Sequence, residues 1–421
     1  MHLEIPYGER RISFELDDRR VMKTVNPSEI SPSLNPTLEI ENALKNPIQG
    51  QRIEELSPKG KTIAIAVDDV TRVTPTHIIL PPILRSLESA GANRKDIKII
   101  IALGTHREMT EQEMKDKYGP QIVEEYEVIN HTFDNETELE YIGKIADNVP
   151  VSINKDYIKA DIRIATGNII PHCNAGWGAG AKILLPGLAG EETVGRMHVH
   201  SGMTTPNGLG MEDNPTRQLI DEFAEKVGIH LLVNTSITRN REIVKVFCGH
   251  FVKAHREGIK LSKKIYGVEI SSLSDFTICS SYPADIEFWQ GQKGLFSADL
   301  ATKENGGILL LSPCPEGVAV MHPKLLDYMQ YSTDQLKQIY KDEKKIEDYV
   351  SLGMAMSIGY VRERHKICII SEGVSQKDAE KLGFEKFQKI DEAIKFLSNQ
   401  YGQDSKINML PMGGETYPIL I

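Results

Sequence analysis

Near-continuous apolar runs in the first half of the chain predict buried β-strands. They cover residues 61–67, 98–103 and 161–166. These runs are rich in Ile, Val and Ala and show little alternation between polar and apolar positions. Strands without alternation are covered on both faces, which is typical of parallel sheets in α/β proteins. Further strands are predicted in the second half by similar runs at 276–279, 307–311 and 366–370.

Between these runs, residues typical of helix ends predict helices. Thr110 and Glu113 form the ends of a capping box. Asn214 and Pro215 suit the N-cap and first position of another helix, which Gly228 would end. The charged, amphipathic stretch 333–350 predicts one more helix. Strands and helices therefore alternate along the chain.

This alternation over 421 residues predicts an α/β fold with two domains. Each domain is expected to hold a mainly parallel, Rossmann-like sheet flanked by helices, with the functional site in the interdomain cleft. A predicted helix over 250–265 and the break at Tyr266 and Gly267 put the boundary near residue 270. The expected domains are 1–270 and 271–421, with the tail 403–421 packing back on the first domain.

Composition narrows the class of protein. The net charge of −10 argues against general binding to nucleic acid or to anionic membranes, which favour a basic face. No run reaches the roughly 20 apolar residues that span a bilayer, and the first residues lack the pattern of a signal peptide. The five cysteines are scattered and form no metal-type pair, so we expect a reducing, cytoplasmic location.

A glycine-rich loop is the most conspicuous local feature. Between Pro171 and Lys182 it carries three glycines in five residues. Glycine allows a backbone to approach a ligand closely. A phosphate-binding P-loop would need Ser or Thr after the lysine, where Ile183 stands, and the dinucleotide fingerprint would need glycine where Ala181 stands. The loop is thus either a ligand loop of another kind or a tight strand-to-helix connection with a solvated lysine.

Polar side chains follow each of the first three predicted strands. They are Asp68, Asp69, Thr71 and Arg72 after the first strand, Thr105, His106 and Arg107 after the second, and His172 after the third. Ligands of open α/β sheets bind beyond the carboxyl ends of strands. Turns also collect Asp and Thr, but three such strand ends at one edge of a sheet predict a shared site.

Together these segments resemble the nickel-pincer-nucleotide-dependent lactate racemase family, which includes racemases and epimerases of 2-hydroxy acids. The similarity runs from residue 60 to about 295 and rests on an ordered set of motifs. These are Asp68-Asp69-x-Thr71-Arg72-x-x-Pro75, Gly104-Thr105-His106-Arg107, Pro171-His172, the loop ending at Lys182, Met197-His198, and Gln290-x-x-Lys293.

The resemblance implies an unusual cofactor. It is nickel(II) held in a pyridinium mononucleotide with two thio groups, covalently bound to the lysine that corresponds to Lys182. His198 would supply the protein ligand, and a flat soft-donor pincer plus one imidazole suits the square-planar geometry of nickel(II). His200, two residues away, is the competing candidate for this role.

The resemblance also assigns roles around the substrate. His106 and His172 would be the bases that exchange the hydroxyl proton of the two enantiomers, while a hydride passes to and from the pyridinium. Arg72, Gln290 and Lys293 would hold the substrate carboxylate, and Trp289 would wall the pocket. Asp69 and Thr71, with Arg72, would approach the nucleotide.

The expected activity is racemisation of a 2-hydroxy acid, with lactate the first candidate. Malate, an aryl-lactate or a sugar acid on the same scaffold is the alternative, and a non-catalytic nickel- or nucleotide-binding protein is a further one. An NAD-dependent dehydrogenase is disfavoured because the glycine fingerprint is missing. The implied partners are cofactor-synthesis and nickel-insertion proteins.

Overall fold

The computed structural model describes residues 1–421 and contains two six-stranded sheets, several small sheets and helices around them. The strands are β1 (His2–Tyr7), β2 (Arg10–Glu15), β3 (Val21–Thr24), β4 (Ile63–Asp68), β5 (Ile97–Ala102), β6 (Glu127–Asn130), β7 (Leu139–Lys144), β8 (Pro150–Asn154), β9 (Ile162–Asn168), β10 (Pro171–His172), β11 (Gly176–Trp177), β12 (Leu231–Ile237), β13 (Ile243–Gly249), β14 (Gly267–Ile270), β15 (Ser274–Ser280), β16 (Thr302–Leu311), β17 (Lys366–Ile370), β18 (Glu385–Phe387), β19 (Ile407–Leu410) and β20 (Tyr417–Leu420). The helices are α1 (Pro36–Lys45), α2 (Thr76–Ser89), α3 (Glu111–Tyr118), α4 (Pro120–Glu125), α5 (Lys155–Lys159), α6 (Glu191–Thr204), α7 (Pro215–Val227), α8 (Phe251–Tyr266), α9 (Phe288–Gly291), α10 (Lys293–Asp299), α11 (Leu325–Tyr328), α12 (Thr333–Tyr340), α13 (Tyr349–Arg364), α14 (Gln376–Leu382) and α15 (Ile390–Tyr401).

The first large sheet has the strand order β13-β12-β9-β4-β5-β6. Its strands are parallel except for β13, which pairs antiparallel with β12. Every residue of β4 is buried, as expected for a strand covered on both faces. The carboxyl ends of β4, β5 and β9 meet at one edge, which is where the predicted site residues follow in the chain.

The second large sheet has the order β18-β17-β16-β15-β19-β3 and is parallel throughout. Its edge strand β3 comes from the beginning of the chain, a placement that a division at residue 270 does not anticipate. The tail of the chain also reaches the first half. Glu415 forms an ion pair with Arg241 at 2.8 Å, and Tyr417 packs edge-to-face on Trp177.

The predicted helix over 333–350 is wrong, because the structure has two helices there. Helix α12 begins with a capping box at Ser332 and ends at Tyr340. The following residues are mostly charged and exposed, so they have no apolar face to pack. Asp348 then caps α13 by accepting a hydrogen bond from the backbone of Ser351.

Helices α6 and α13 form the most extensive contact between the two halves. A Cβ built on Gly353 of α13 would lie 2.3 Å from the backbone carbon of His198 in α6. One on Gly195 of α6 would lie 2.4 Å from Cβ of Tyr349. Glycine therefore lets these helices approach backbone to backbone. A single cluster of 67 buried residues continues through this seam from one half to the other. No helix is both long and apolar enough to span a membrane.

Candidate active site

A cavity opens at the carboxyl edge of the first sheet, between the two halves. Of the ten residues to which the resemblance gives a role, eight line it: Arg72, His106, His172, Lys182, His198, Trp289, Gln290 and Lys293. Asp69 and Thr71 stand behind its wall. The cavity draws on both halves because α9 and α10 carry Trp289, Gln290 and Lys293.

His106 is held between a carboxylate and an amide. Its Nδ1 lies 2.6 Å from Oδ2 of Asp69, and its Nε2 lies 2.9 Å from Nε2 of Gln290. Because a carboxylate only accepts, Nδ1 carries the proton, and the lone pair is on Nε2, where it accepts from the Gln290 amide. Burial lowers the pKa of His106 against the opposing effect of Asp69, so the ring is neutral. His106 thus has the protonation state of a base.

Asp69 remains an anion although it is buried. Burial alone would raise its pKa, but His106, Arg72 and a hydrogen bond from Thr71 outweigh burial and hold the pKa of Asp69 below its usual range. The hydroxyl of Thr71 donates to Oδ1 of Asp69 at 2.7 Å. Asp69 and Thr71 therefore orient His106 in this structure.

His172 has the opposite tautomer. Its Nδ1 accepts from the backbone N–H groups of Asn174 and Ala175 at 3.2 and 3.4 Å. The ring proton must therefore be on Nε2. Burial, together with the positive charge of Lys182 and Lys293, lowers the pKa of His172 well below its usual value. The cavity consequently holds one histidine whose Nε2 carries a lone pair and one whose Nε2 carries a proton.

Gln290 joins the cationic groups of the site. Its Oε1 accepts from Arg72 Nη1 at 2.9 Å and from Lys293 Nζ at 2.6 Å. One oxygen between a guanidinium and an ammonium marks a position that suits an oxygen of a bound carboxylate. Burial, and then the charge of Arg72, lowers the pKa of Lys293 to about 7.

The glycine-rich loop is held rigidly by side chains from three elements. Arg217 of α7 donates to the carbonyl oxygens of Ala175 and Trp177, the former at 3.1 Å. His255 of α8 lies 2.7 Å from the carbonyl of Gly178, and Asn234 of β12 accepts from the N–H of Gly180 at 2.9 Å. The loop is therefore a fixed structure rather than a free connection.

Two glycines are required by this loop. Gly176 has φ +73°, and a Cβ there would lie 1.7 Å from the carbonyl oxygen of Met211. Gly180 has φ +61°, and its Cβ would lie 2.8 Å from the ring of His255. Both the left-handed backbone and the close packing therefore exclude a side chain.

Lys182 faces the cavity without a carboxylate or hydrogen-bond partner. Burial, followed by the charges of Arg72, Lys293 and Arg217, lowers the pKa of Lys182 well below its usual value. Its side chain is therefore no solvated surface lysine. A buried amine of lowered pKa is the form of lysine that acts as a nucleophile.

His198 and His200 lie two residues apart on α6, and only His198 lines the cavity. His198 lines the cavity, and its buried Nδ1 has no hydrogen-bond partner. Burial, and then Lys182, lowers the pKa of His198 to about 3, so the ring is neutral and able to ligate a metal. His200 lies outside the cavity lining and bonds Asp147 at 2.6 Å.

Further residues around the site hold its backbone in place, although no motif in the sequence marks them. Arg217 and His255 are fully buried, and each contacts carbonyl groups far away in the chain. Lys117 of α3 donates to the carbonyl oxygens of Arg72 and Thr74. Such residues occupy ordinary helix positions, so only the tertiary contacts reveal them.

Comparisons with known proteins agree over the whole chain. A family model described as the lactate racemase N-terminal domain matches residues 7–210, and one described as the lactate racemase C-terminal domain matches residues 271–415. The chain is 28% identical to a lactate racemase of Thermoanaerobacterium thermosaccharolyticum over 432 residues, and 27% identical to one of Lactiplantibacillus plantarum over 427 residues. Both alignments cover 98% of each protein.

Solved structures confirm the predicted α/β fold. The lactate racemase apoprotein from Thermoanaerobacterium thermosaccharolyticum superposes with a TM-score of 0.88 at 28% identity and covers 100% of both chains. A protein from Thermotoga maritima has a TM-score of 0.72 at 18% identity, covering 92% of this chain and 97% of its own. The second similarity concerns the fold alone.

Proposed function

Because this chain belongs to the lactate racemase family and is therefore an isomerase, we propose that it interconverts the D and L enantiomers of a 2-hydroxy acid, with lactate the first substrate. The observation that carries the proposal is the pairing of one anion-binding position with two histidines. Arg72 and Lys293 converge on a single oxygen, and His106 lies within 2.9 Å of the same Gln290 amide.

The proposed cofactor is nickel(II) in the pyridinium bis-thio mononucleotide, attached covalently to Lys182. Two observations fit this group: the Lys182 amine has no partner in the cavity, and the buried Nδ1 of His198 has none either. His198 would be the protein ligand of nickel. When bound, the group would accept the α-hydride of the substrate and return it to the opposite face.

The side chains of this protein would supply the proton transfers and the orientation. Arg72 and Lys293 bind the carboxylate, and Gln290 moves aside to admit it. Nε2 of His106 accepts the hydroxyl proton of one enantiomer, while Asp69 stabilises the resulting imidazolium. His172 would have the same task for the other enantiomer, which requires its ring to turn Nδ1 away from the N–H groups of Asn174 and Ala175 and present a lone pair to the cavity. The substrate carboxylate would offset the charges that now lower the pKa of His172.

The cavity offers one carboxylate-binding position, which favours a monocarboxylate such as lactate over malate. Arg72 and Lys293 share that position through Gln290. Aryl-lactate and sugar acids remain alternatives on the same scaffold, and a non-catalytic nickel- or nucleotide-binding role is the less favoured one. Attachment of the cofactor requires the proposed synthesis and nickel-insertion proteins.

The test is racemisation of L-lactate in heavy water by protein produced together with cofactor-making proteins. Hydride transfer keeps the α-hydrogen away from solvent, so D-lactate should carry little α-deuterium. The intact mass should show an adduct on Lys182. Rapid racemisation by protein with unmodified Lys182, or full α-deuteration of the product, would overturn the mechanism.

Metal content provides a second readout. His198→Ala should lose nickel and keep the adduct on Lys182, whereas the matched variant His200→Ala should keep both. The reverse result would assign the metal to His200.

A further inference from the structure

A second group of metal-ligating side chains lies outside the cavity, where the two halves meet. Glu191 is the first residue of α6, His322 follows β16, and Asp348 caps α13. Each offers one ligand atom, and these atoms all lie within 4.8 Å of one another. None of the three lines the cavity. The group therefore differs from the proposed nickel position at His198.

His322 is the most buried member of this group. Its side chain is only 3% exposed, and Nδ1 lies 3.1 Å from Oδ2 of Asp348. The other ring nitrogen, Nε2, is buried without any hydrogen-bond partner. A buried polar atom without a partner costs free energy. Asp348 cannot both hold Nδ1 by a hydrogen bond and share an ion with Nε2 on the far side of the ring, so Nδ1 is the ring nitrogen placed to bind a cation together with Asp348.

Glu191 adds negative charge that no cationic side chain balances. Its carboxylate has no ion pair within 4 Å, and Asp348 pairs only with His322. The carboxylates of Glu191 and Asp348 thus both lie beside one imidazole, an arrangement that attracts a cation. Glu191 is also exposed on its outer side, which leaves an entry path.

The pair of His200 and Asp147 provides an internal comparison. Its ring also has Nδ1 on a carboxylate, at 2.6 Å, and a buried Nε2 without a partner. That pair has no third ligating side chain within reach. The difference between the two histidines is the added carboxylate of Glu191.

We propose that Glu191, His322 and Asp348 bind one divalent cation of the Zn²⁺ or Mn²⁺ type, which ties the two halves of the molecule together. One imidazole and two carboxylates suit these ions. Three protein ligands leave room for water in the remaining positions. Trp289 stacks on His322 with ring centroids 4.8 Å apart and an interplanar angle of 29°. The bound cation would therefore also fix one wall of the cavity.

The experiment uses the full chain produced without cofactor and carrying His198→Ala, so that the cavity histidine cannot contribute. Zn²⁺ is titrated into metal-free protein by calorimetry, and the melting temperature is recorded with and without Zn²⁺. We expect one equivalent bound at micromolar or lower concentration and a higher melting temperature. Glu191→Gln and His322→Gln should each weaken binding at least tenfold. His200→Gln should leave it unchanged.

The proposal is overturned if the parent protein binds no Zn²⁺ at 100-fold excess. It is equally overturned if Glu191→Gln and His322→Gln bind like the parent, or if His200→Gln loses as much. Glu191→Gln changes an exposed side chain and should keep the fold, which far-UV circular dichroism checks. This test involves neither nickel nor turnover, so its failure leaves the proposed racemase activity standing.

Discussion

The two cavity histidines differ in the group that each presents to the cavity. The neighbour of Nδ1 decides this: the carboxylate of Asp69 for His106, and two backbone N–H groups for His172. The backbone neighbours of His172 oppose a second proton on its ring, whereas Asp69 favours one on His106. We therefore expect unequal kinetics for the two enantiomers even though the overall equilibrium constant of a racemisation is one.

Asp69→Asn should lower turnover by about 10²–10⁴-fold, because the amide no longer stabilises the imidazolium of His106 or fixes its tautomer. Nickel content and the mass adduct on Lys182 should be unchanged. Thr71→Val is the matched control, since it removes only the hydroxyl that donates to Asp69. A loss of nickel in Asp69→Asn would instead indicate a role in holding the cofactor.

Lys293 predicts a pH dependence of substrate binding. Its pKa is lowered to about 7, so it loses its charge as the pH rises through that value. A carboxylate substrate prefers the charged form, and KM should therefore rise above pH 7 by up to about tenfold per pH unit. Lys293→Arg keeps the charge and should flatten this profile of kcat/KM against pH. An unchanged slope in that variant would assign the ionisation to another group.

At the level of elements, the glycine-rich loop is the most constrained segment. Gly176→Ala would press a methyl group against the carbonyl oxygen of Met211 and impose a left-handed backbone on alanine. We expect a loss of about 1–3 kcal/mol in the free energy of unfolding and poor attachment of the cofactor to Lys182. Gly178→Ala is the control, because its nearest neighbour would lie at 3.3 Å and its φ is not left-handed. Melting temperature and intact mass distinguish the two.

The strands that carry the site could be predicted from the sequence because their apolar runs need no knowledge of the tertiary structure. The structure assigns β4, β5 and β9 to the predicted runs. The helix predicted over 333–350 was wrong because periodicity did not reveal that Asp348 caps a new helix. The position of β3 was not predictable either, since pairing with β19 depends on contacts far away in the chain. For the same reason, the sequence did not predict that the buried Arg217 and His255 hold the glycine-rich loop.

At the level of the whole molecule, an ion pair of Arg107, the residue that follows His106, joins the two halves. Arg107 pairs with Glu316 at 2.9 Å from the second half and with Glu113 at 2.8 Å from its own half. The two halves also share a buried core through α6 and α13. We therefore expect closure over the substrate to pivot at that seam rather than at a free linker.

Glu316→Gln should favour a more open arrangement and raise KM without a large change in kcat. Partly exposed ion pairs contribute about 1 kcal/mol or less, so the rise should not exceed about fivefold. Glu113→Gln is the matched control: it removes the ion pair of Arg107 within its own half, and glutamine still completes the capping box of α3. Small-angle scattering with and without a substrate analogue measures the closure. Identical profiles for all states would contradict it.

The bonds of Gln290 have a consequence for the resting enzyme. With its Oε1 on both Arg72 and Lys293, the side chain would compete with the carboxylate of the proposed substrate for this position. A substrate would have to displace Gln290, so the apparent affinity would equal the intrinsic affinity multiplied by the fraction of molecules in which Gln290 is already displaced. The same side chain can return as product leaves, which speeds release. Such a site would bind its substrate less tightly but release its product faster. These properties suit a substrate that is present at high concentration.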